Sequence, residues 1–475
     1  MLPSVSAIER YREHIVADLR ELIRIPSVRG EARPDAPFGP GPARALRYVL
    51  ERGAALGFAT RTVDNVAGHV QYGVRGPLVG VLVHLDVVPA GDAWKHDPFE
   101  GEVEDGCVFG RGASDNKGPA VAALYCLRAY ADLVADPPAR IRIIFGTNEE
   151  SGMACMRRYF AAEELPEMGF SPDAAYPLFN REKGIFNATL RASRSGLRLV
   201  SELSGGEALN SVASRAVAAI APQLADVARE AVGAYRADGC VEPRVALAPG
   251  VREDGGLRLV ATGVSAHGGS PEKGVSAIAH LVALLAQISG EAKASGQVPG
   301  GEPVEPELRA LGRLVGFETT GESLGIACRD EESGALSVNW GTLVLEEDSI
   351  EAALNIRYPV TGDFERIVSV LERTTAHHGF SVEVSAHLPP LYLPEDHPLI
   401  VRLLRAYERV TGERASPRAM AGGTYARMLA NRGVAFGANF ADEDTRGHRP
   451  DEFIRVESLM RHARICTEAL LELAQ

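Results

Sequence analysis

Acidic side chains and one histidine follow two apolar runs of this sequence, at the points where the runs end. His84 and Asp86 come directly after the first run, and Glu149 and Glu150 come after the second. If both runs are parallel strands of one sheet, their carboxyl ends meet at one edge, where such sheets bind ligands. A lone histidine at a strand end is often only a hydrogen-bonded buried side chain, and a Glu-Glu pair is often a solvated turn. Several carboxylates that share a crevice repel one another unless a cation joins them, so the pattern favours a metal site.

The elements that must position these groups are a strand, a helix and a second strand. Residues 78–83 and 140–145 are short apolar runs, as expected of strands that are buried on both faces. Residues 118–133 are rich in alanine and leucine and predict a helix between them. This order predicts a right-handed parallel crossover. Asp115 lies immediately before the helix, at the same edge of the sheet.

The middle of the chain has a different pattern. From residue 187 to residue 387 the strand and helix signals suit an antiparallel sheet covered by helices, and the last segment returns to the earlier style. We therefore expect an α/β catalytic domain of residues 1–186 and 388–475, interrupted by an inserted α+β domain of residues 187–387. In the last segment, residues 434–440 predict one apolar strand, and residues 456–473 predict a final helix.

The composition excludes several classes of protein. The 475 residues include 50 Lys and Arg against 63 Asp and Glu, and the formal net charge of −13 disfavours nucleic acid and membrane surfaces as partners. Charges interrupt every apolar run near the amino terminus, so we expect no signal peptide there. The six cysteines form no CxxC pair, which argues against a disulfide scaffold and indicates a cytoplasmic protein. The first 25 residues predict one amphipathic helix with the apolar stripe Ile8, Tyr11, Ile15, Leu19 and Leu22.

Five stretches of the sequence, in this order and spacing, resemble the successive motifs of the co-catalytic dizinc exopeptidases. That family includes aminoacylases, glutamate-releasing carboxypeptidases, desuccinylases and dipeptidases. The resemblance implies a zinc-exopeptidase-like catalytic domain with a mixed, largely parallel sheet, interrupted by a ferredoxin-like lid domain. The stretches are 84–91, 110–118, 146–152, 171–177 and 447–452.

The resemblance also implies a site for two Zn²⁺ ions, which Co²⁺ or Mn²⁺ could replace. Glu149 would be the general base toward a bridging water, and Asp86 would orient a ligand histidine. A cis peptide bond is expected between the bridging aspartate and Asn116. The implied ligands are Asp115 as the bridge, His84 and Asp173 for one ion, and Glu150 and His448 for the other.

Further residues match the family's substrate-binding groups. His267 would donate to the developing oxyanion. Arg357 would form a bidentate pair with a substrate carboxylate; otherwise it would be an ordinary surface charge. Asn210 and a Gly-Gly turn match the region that binds the substrate carboxylate, because the turn opens a helix whose free N–H groups suit an anion. Gly-Gly before a helix is also commonly only a turn. The residues of this turn are Gly422, Gly423 and Thr424.

The resemblance implies zinc-dependent hydrolysis of dipeptides, among which carnosine-like Xaa-His dipeptides are candidates, with a small peptide as the partner. Within the family the chain resembles PepV-type dipeptidases, whose inserted domain is long. The inserted domain is about twice as long as the lid of simpler relatives. A lid of this size could supply His267 within the same chain, so we expect a monomer. Two alternatives stay open. One is an amidohydrolase of N-acyl amino acids, of the desuccinylase or deacetylase type, and the other is a metal-binding module without catalysis.

Overall fold

The computed structural model describes residues 2–198, 200–237, 246–294 and 305–475, so Cys240 lies outside the described residues. Contacts divide the chain into two compact units. The split unit consists of Met1–Glu182 and Leu391–Gln475, and the inserted unit is Lys183–Pro390.

The helices and strands alternate along both units. The α-helices are α1 (Pro3–Glu9), α2 (Arg12–Ile23), α3 (Pro40–Ala55), α4 (Lys117–Leu133), α5 (Ala154–Ala162), α6 (Ala225–Ala237), α7 (Ala277–Ala294), α8 (Pro306–Leu314), α9 (Phe364–Ala376), α10 (Pro398–Thr411) and α11 (Val456–Leu473). The strands of the split unit are β1 (Ala59–Val63), β2 (Ala67–Tyr72), β3 (Leu78–His84), β4 (Glu102–Glu104), β5 (Cys107–Phe109), β6 (Arg140–Gly146), β7 (Met168–Ser171), β8 (Ala174–Ala175) and β9 (Phe179–Glu182), followed after the inserted unit by β20 (Leu391–Tyr392), β21 (Arg418–Met420), β22 (Gly433–Ala435), β23 (Ala438–Asn439) and β24 (Phe453–Arg455). Those of the inserted unit are β10 (Gly184–Ser193), β11 (Val200–Gly205), β12 (Arg215–Ile220), β13 (Ala246–Val251), β14 (Leu257–Thr262), β15 (Arg329–Asp330), β16 (Gly334–Ala335), β17 (Ser337–Leu345), β18 (Ser349–Tyr358) and β19 (Ser381–Leu388).

A mixed sheet forms the centre of the split unit. Its strand order is β1-β2-β6-β3-β7-β22-β9-β20, with β21 beside β9. The four strands in the middle, β6, β3, β7 and β22, run parallel. The strand β2 runs antiparallel to β6, and β22 runs antiparallel to β9. The predicted α/β class and the mixed, largely parallel sheet are therefore confirmed.

The apolar run of β3 is buried on both faces of this sheet, as predicted. Every residue of β3 is buried. Val81 belongs to the same apolar cluster as Leu124 of α4, whereas Leu82 packs in a second cluster with Met156 of α5. Alternate side chains of a strand point to opposite faces, so helices must cover both sides of the sheet. The order β3, α4, β6 and the parallel pairing of the two strands confirm a parallel crossover, and its right hand stays a prediction.

The inserted unit contains an antiparallel sheet of eight strands in the order β13-β14-β12-β11-β17-β18-β10-β19. The middle of this sheet is formed by long pairings, and Gly184–Ser193 pairs along its whole length with Ser349–Tyr358. The helix α7 packs on β12 and β14, and α9 packs on β19. An antiparallel sheet covered by helices is the α+β arrangement that the sequence predicts for this part of the chain.

The amino-terminal segment forms two helices, and the prediction of a single helix is wrong. The helix α1 ends at Glu9 and α2 begins at Arg12. The two residues in the break contact Asp132 at the end of α4: Arg10 Nη2 lies 3.1 Å from its Oδ2, and the Tyr11 hydroxyl donates to the same oxygen at 2.6 Å. The other residues of the apolar stripe are buried.

The predicted strand 434–440 is interrupted. Its residues form β22 and, after a turn at Gly437, the short strand β23, which pairs with β8. Gly437 has φ = 77°, and a Cβ at this position would lie 2.5 Å from the ring of Tyr176. The contact with Tyr176 is made in the folded chain only, so the apolar run by itself could not reveal the break. Within the described ranges, none of the helices has the length and apolar character that crossing a membrane requires.

His462 of α11 makes the stability of the fold sensitive to acid. Its Nδ1 lies 2.8 Å from the hydroxyl of Tyr176, and burial lowers the pKa of His462 to about 3. An unfolded chain would protonate this ring near its ordinary pKa of about 6.5, so the unfolded state binds more protons below that pH. Stability is therefore lost as the pH falls below 6.5.

We expect the free energy of unfolding to fall less for His462→Gln than for the unchanged protein when the pH is lowered from 6.5 to 5. Glutamine can still accept from Tyr176, but it does not titrate. The difference should reach about 1.5 kcal/mol over this interval, since one pKa unit corresponds to about 1.4 kcal/mol. Denaturant unfolding followed by circular dichroism at a series of pH values measures it. Parallel pH profiles for the two proteins would contradict this role of His462.

Candidate metal centre

His84, the last residue of β3, has only one nitrogen directed at the acidic cluster. Its Nδ1 lies 2.9 Å from the backbone carbonyl oxygen of Asp86. A carbonyl oxygen only accepts, so Nδ1 carries the hydrogen. The lone pair of Nε2 in the neutral ring then faces Asp115 Oδ1 at 2.9 Å and Asp173 Oδ1 at 3.4 Å. Either a proton or a cation must lie between these three acceptors.

Asp86 acts through two different groups. Its contact with His84 Nδ1 is made by the backbone carbonyl oxygen, because the nearer carboxylate oxygen lies 3.7 Å from that nitrogen. The carboxylate instead accepts the backbone N–H groups of Glu149 at 2.9 Å and of Glu150 at 3.2 Å. It fixes the turn after β6, and so the directions in which the two neighbouring glutamates leave the backbone.

Asp115 lies between the two histidines. Its Oδ1 faces His84 Nε2, and its Oδ2 lies 3.1 Å from His448 Nε2. The same nitrogen of His448 lies 3.0 Å from Glu150 Oε1. Oxygen and nitrogen atoms of His84, Glu149 and Asp173 lie within 4.8 Å of one another, as do those of His84, Asp115 and Glu150. One carboxylate that offers a different oxygen to each of two imidazoles has the geometry of a ligand shared between two cations.

The carboxylates of this cluster are held in an unfavourable charge state. Burial, and then the charge of Asp115, raises the pKa of Glu150 to about 7. Burial also raises the pKa of Asp173 to about 6, although the nearby His84 opposes it. The pKa of Glu149 is well above its ordinary value because of burial and then Asp173. Two divalent cations would remove this repulsion, and carboxylate with imidazole is a donor set that suits zinc.

Asn116 has a role that the sequence did not reveal. The expected cis peptide bond between Asp115 and Asn116 is present. The amide Nδ2 of Asn116 donates to Asp173 Oδ1 at 3.0 Å and to the carbonyl oxygen of Pro172 at 2.8 Å. The neutral amide holds Asp173 in place, whereas an aspartate at this position would repel it. This donation explains why an asparagine fits beside the implied bridge.

In the inserted unit, the loops that carry Asn210 and His267 are joined to each other. Gly268 N–H donates to the carbonyl oxygen of Asn210 at 2.7 Å, and Val212 N–H donates to that of Ala266 at 2.9 Å. The Nδ1 of His267 accepts the N–H of Gly269 at 3.2 Å. In the neutral ring the hydrogen is therefore on Nε2, and the ring can act there as a hydrogen-bond donor.

Arg357 is buried in the inserted unit, so the reading of an ordinary surface charge is wrong. Its Nε donates to Asn355 Oδ1 at 3.0 Å, and only 4% of the residue is exposed. Asn355 stands opposite Asn339 of β17 and Asn187 of β10 in the sheet. The Nδ2 of Asn339 donates to the carbonyl oxygens on both sides of Asn210, at 2.8 and 2.9 Å. A row of three asparagines thus links the Asn210 loop to Arg357.

The turn of Gly422, Gly423 and Thr424 lies in the split unit, where it contacts the carboxylate of Glu182. The hydroxyl of Thr424 donates to Glu182 Oε1 at 2.8 Å, and its N–H donates to Oε2 at 3.2 Å. Arg427 Nε lies 2.7 Å from Glu182 Oε2, and a Cβ on Gly423 would lie equally close to this nitrogen. The expectation of free N–H groups is therefore wrong for Thr424, because the buried carboxylate of Glu182 already uses its N–H.

We expect divalent metal to stabilise this protein strongly. At a free Zn²⁺ concentration of 100 times Kd, the free energy of unfolding of chelator-treated protein should rise by about 2.7 kcal/mol, because the ligands are clustered in the folded state alone. Calorimetric unfolding at a series of buffered Zn²⁺ concentrations measures the gain. In Asp115→Asn, which lacks the negative charge between the two histidines, Zn²⁺ should raise the free energy of unfolding much less. A midpoint that is independent of Zn²⁺ would contradict a metal site here.

Comparison with known proteins agrees with this geometry. The model of Peptidase family M20/M25/M40 matches residues 80–472. YtjP of Bacillus subtilis (strain 168), named as an unproven dipeptidase, is 36% identical over 476 residues, which cover 98% of each chain. SAB1611c of Staphylococcus aureus (strain bovine RF122 / ET3-1), named in the same way, is 32% identical over 478 residues and 98% of each chain.

Two solved structures share the fold. The di-peptidase Dug1p from Saccharomyces cerevisiae aligns with a TM-score of 0.59 and 13% identity, over 99% of this chain and 98% of its own. Human carnosine dipeptidase 1 aligns with a TM-score of 0.57 and 16% identity, over 99% and 98%. With the family match over most of its length, the chain belongs to Peptidase family M20/M25/M40 and is a metallopeptidase, a metal-dependent hydrolase.

Proposed function

We propose that this metallopeptidase is a dipeptidase that works with two Zn²⁺ ions. The observation that carries the proposal is the position of Asp115, with one oxygen toward each of two histidines. Two relatives that match nearly the whole chain are named as unproven dipeptidases, which supports a dipeptide as the substrate. Asp115 would bridge the ions. His84 with Asp173 would hold one ion, and Glu150 with His448 the other.

When bound, the ions would supply a Lewis acid for the peptide carbonyl and a water that is easier to deprotonate. Glu149 would accept a proton of this water on its carboxylate and would return it to the leaving nitrogen. The Asp86 carboxylate keeps Glu149 directed into the cluster by accepting its backbone N–H. Glu150, held by the same carboxylate, stays beside His448.

The inserted unit would supply the groups that recognise the substrate. His267 donates from Nε2 to the oxyanion that develops on the carbonyl, and the N–H of Gly269 keeps its ring in this tautomer. Arg357 binds the substrate carboxylate as a bidentate pair, with Asn210 beside it. In the split unit, Gly422 and Gly423 are proposed as further substrate-binding residues. We propose a monomer, in which His267 acts within its own chain; light scattering after size exclusion tests this.

We expect Glu149→Gln to abolish turnover without loss of metal. The amide cannot accept the proton of the water, so kcat should fall by about 10³-fold or more, while the ligands are unchanged. Metal content is measured by mass spectrometry, and turnover with a library of unblocked dipeptides that includes β-alanyl-histidine. Glu150→Gln is the matched variant, and it should lose metal together with activity.

The same assay distinguishes the alternatives. N-acetyl and N-succinyl amino acids, tested in parallel, should be poor substrates. If they are hydrolysed faster than every dipeptide, the protein is an amidohydrolase. Full turnover by Glu149→Gln would refute the assignment of the base.

Arg357 is expected to set the requirement for a free substrate carboxylate. The unchanged enzyme should hydrolyse a dipeptide far better than its carboxamide, and Arg357→Met should lose about 10²-fold in kcat/KM on the dipeptide only, because only that substrate carries the paired anion. Arg194→Met is the control, since Arg194 is also a buried arginine of the inserted unit, paired with Glu305. An equal loss on both substrates would assign Arg357 a structural role.

A further inference from the structure

Outside the implied ligand set, the split unit contains a buried ion pair between Arg111 and Glu452. The Nη1 of Arg111 lies 2.7 Å from Glu452 Oε2, and the two side chains are 2% and 0% exposed. Sequence analysis gave neither residue a role. Both belong to segments that carry implied ligands, since Arg111 precedes Asp115 and Glu452 follows His448.

The second oxygen of Glu452 holds the backbone at Asp115. Its Oε1 accepts the N–H of Ser114 at 3.0 Å, the hydroxyl of Ser114 at 3.1 Å and the N–H of Asp115 at 3.1 Å. The carbonyl oxygen of Glu452 accepts the N–H of Gly110 at 2.9 Å. One residue that follows His448 therefore fixes both ends of the loop on which Asp115 stands.

The guanidinium of Arg111 reaches the remaining segment. It donates to the carbonyl oxygens of Pro89 and Ala90 at 3.4 and 3.3 Å, in the loop that follows Asp86. It also donates to the carbonyl oxygen of Arg449, the neighbour of His448, at 3.3 Å. The face of the indole of Trp94 lies 5.1 Å from the guanidinium carbon. The pair thus touches the segments that carry His84, Asp115 and His448.

We propose that Arg111 and Glu452 are positioning residues that hold Asp115 and His448 at binding distance before any cation is present. This inference rests on the ligand set of the proposed function. The clustered carboxylates repel one another, so without a cation they push apart the loops that carry them. The buried pair adds no net charge to the cluster, and its hydrogen bonds to three segments fix the loops, so cation binding does not have to order them.

The pair needs a carboxylate at position 452. All four groups directed at Glu452 are donors, one of them on Oε2 and three on Oε1. Glutamine would place its NH₂ against donors in either orientation. We therefore expect Glu452→Gln to displace the loop of Asp115 and to weaken Zn²⁺ binding by about 10- to 100-fold, the range found when groups that orient metal ligands are replaced.

The control for lost stability is Glu305→Gln in the inserted unit. Glu305 is equally buried, and its Oε1 accepts from Arg194 at 2.8 Å and from the N–H of Val200 at 3.1 Å. Each variant is stripped of metal. Its Zn²⁺ affinity is measured by competition with a chromophoric chelator, and its unfolding midpoint without metal is recorded. Both variants should unfold at lower temperature, but only Glu452→Gln should bind Zn²⁺ more weakly.

Two further variants separate the possible failures. Asp115→Asn tests the ligand assignment: if its Zn²⁺ affinity is that of the unchanged protein, the proposed ligand set fails, and this inference with it. If Asp115→Asn binds weakly while Glu452→Gln keeps normal affinity, only the positioning role is overturned. Arg111→Lys, which keeps the charge but loses the fork, replaces Glu452→Gln if that variant does not fold. It should also weaken binding, and normal affinity in it would overturn the inference.

Discussion

Asp115 stands between two imidazoles, and its charge cannot be considered apart from that of the carboxylates around it. Burial and mutual repulsion raise the pKa of Glu149, Glu150 and Asp173, whereas the two histidines lower that of Asp115. A fold that brings these groups together loses stability unless cations join them or unless other contacts hold the loops. The surrounding hydrogen bonds follow from this constraint. Asp86 holds the turn of Glu149 and Glu150, Asn116 holds Asp173, and the pair of Arg111 with Glu452 holds three loops. Apart from the charge of Asp86, these groups add no net negative charge.

The part of the fold that carries the ligands could be predicted because its signals are local. An apolar run that is buried on both faces, an alanine-rich helix and a second apolar run specify β3, α4 and β6, and the acids at the strand ends follow from the direction of the strands. Breaks in apolar segments could not be predicted, because they depend on contacts made only after folding. Asp132 contacts Tyr11 at the break between α1 and α2, and the ring of Tyr176 leaves no room for a side chain at position 437.

The candidate site was predicted in its residue types but not in its supporting contacts. The ligand histidines and acids fall in recognisable motifs, whereas their partners are distant in sequence. Glu182 lies more than 200 residues before the turn, and its carboxylate accepts the N–H of Thr424. The Gly-Gly sequence alone therefore suggested a free anion site, although a carboxylate of the protein binds there. The resemblance to a family could supply a role for Asp86, but not the atom through which it acts on His84. Only the geometry distinguishes its carbonyl from its carboxylate.

The use of asparagine in both units follows from the same electrostatic constraint. Beside Asp173, an amide can donate where a carboxylate would repel. Beside Arg357, the neutral amide of Asn355 accepts from the guanidinium and cancels none of its charge. An aspartate at position 355 would form an ion pair with Arg357 and would compete with a substrate carboxylate for the same fork. Asn339, on the neighbouring strand, donates to two backbone carbonyl oxygens of the Asn210 loop. Neutral amides thus orient charged groups in each unit and add no charge of their own.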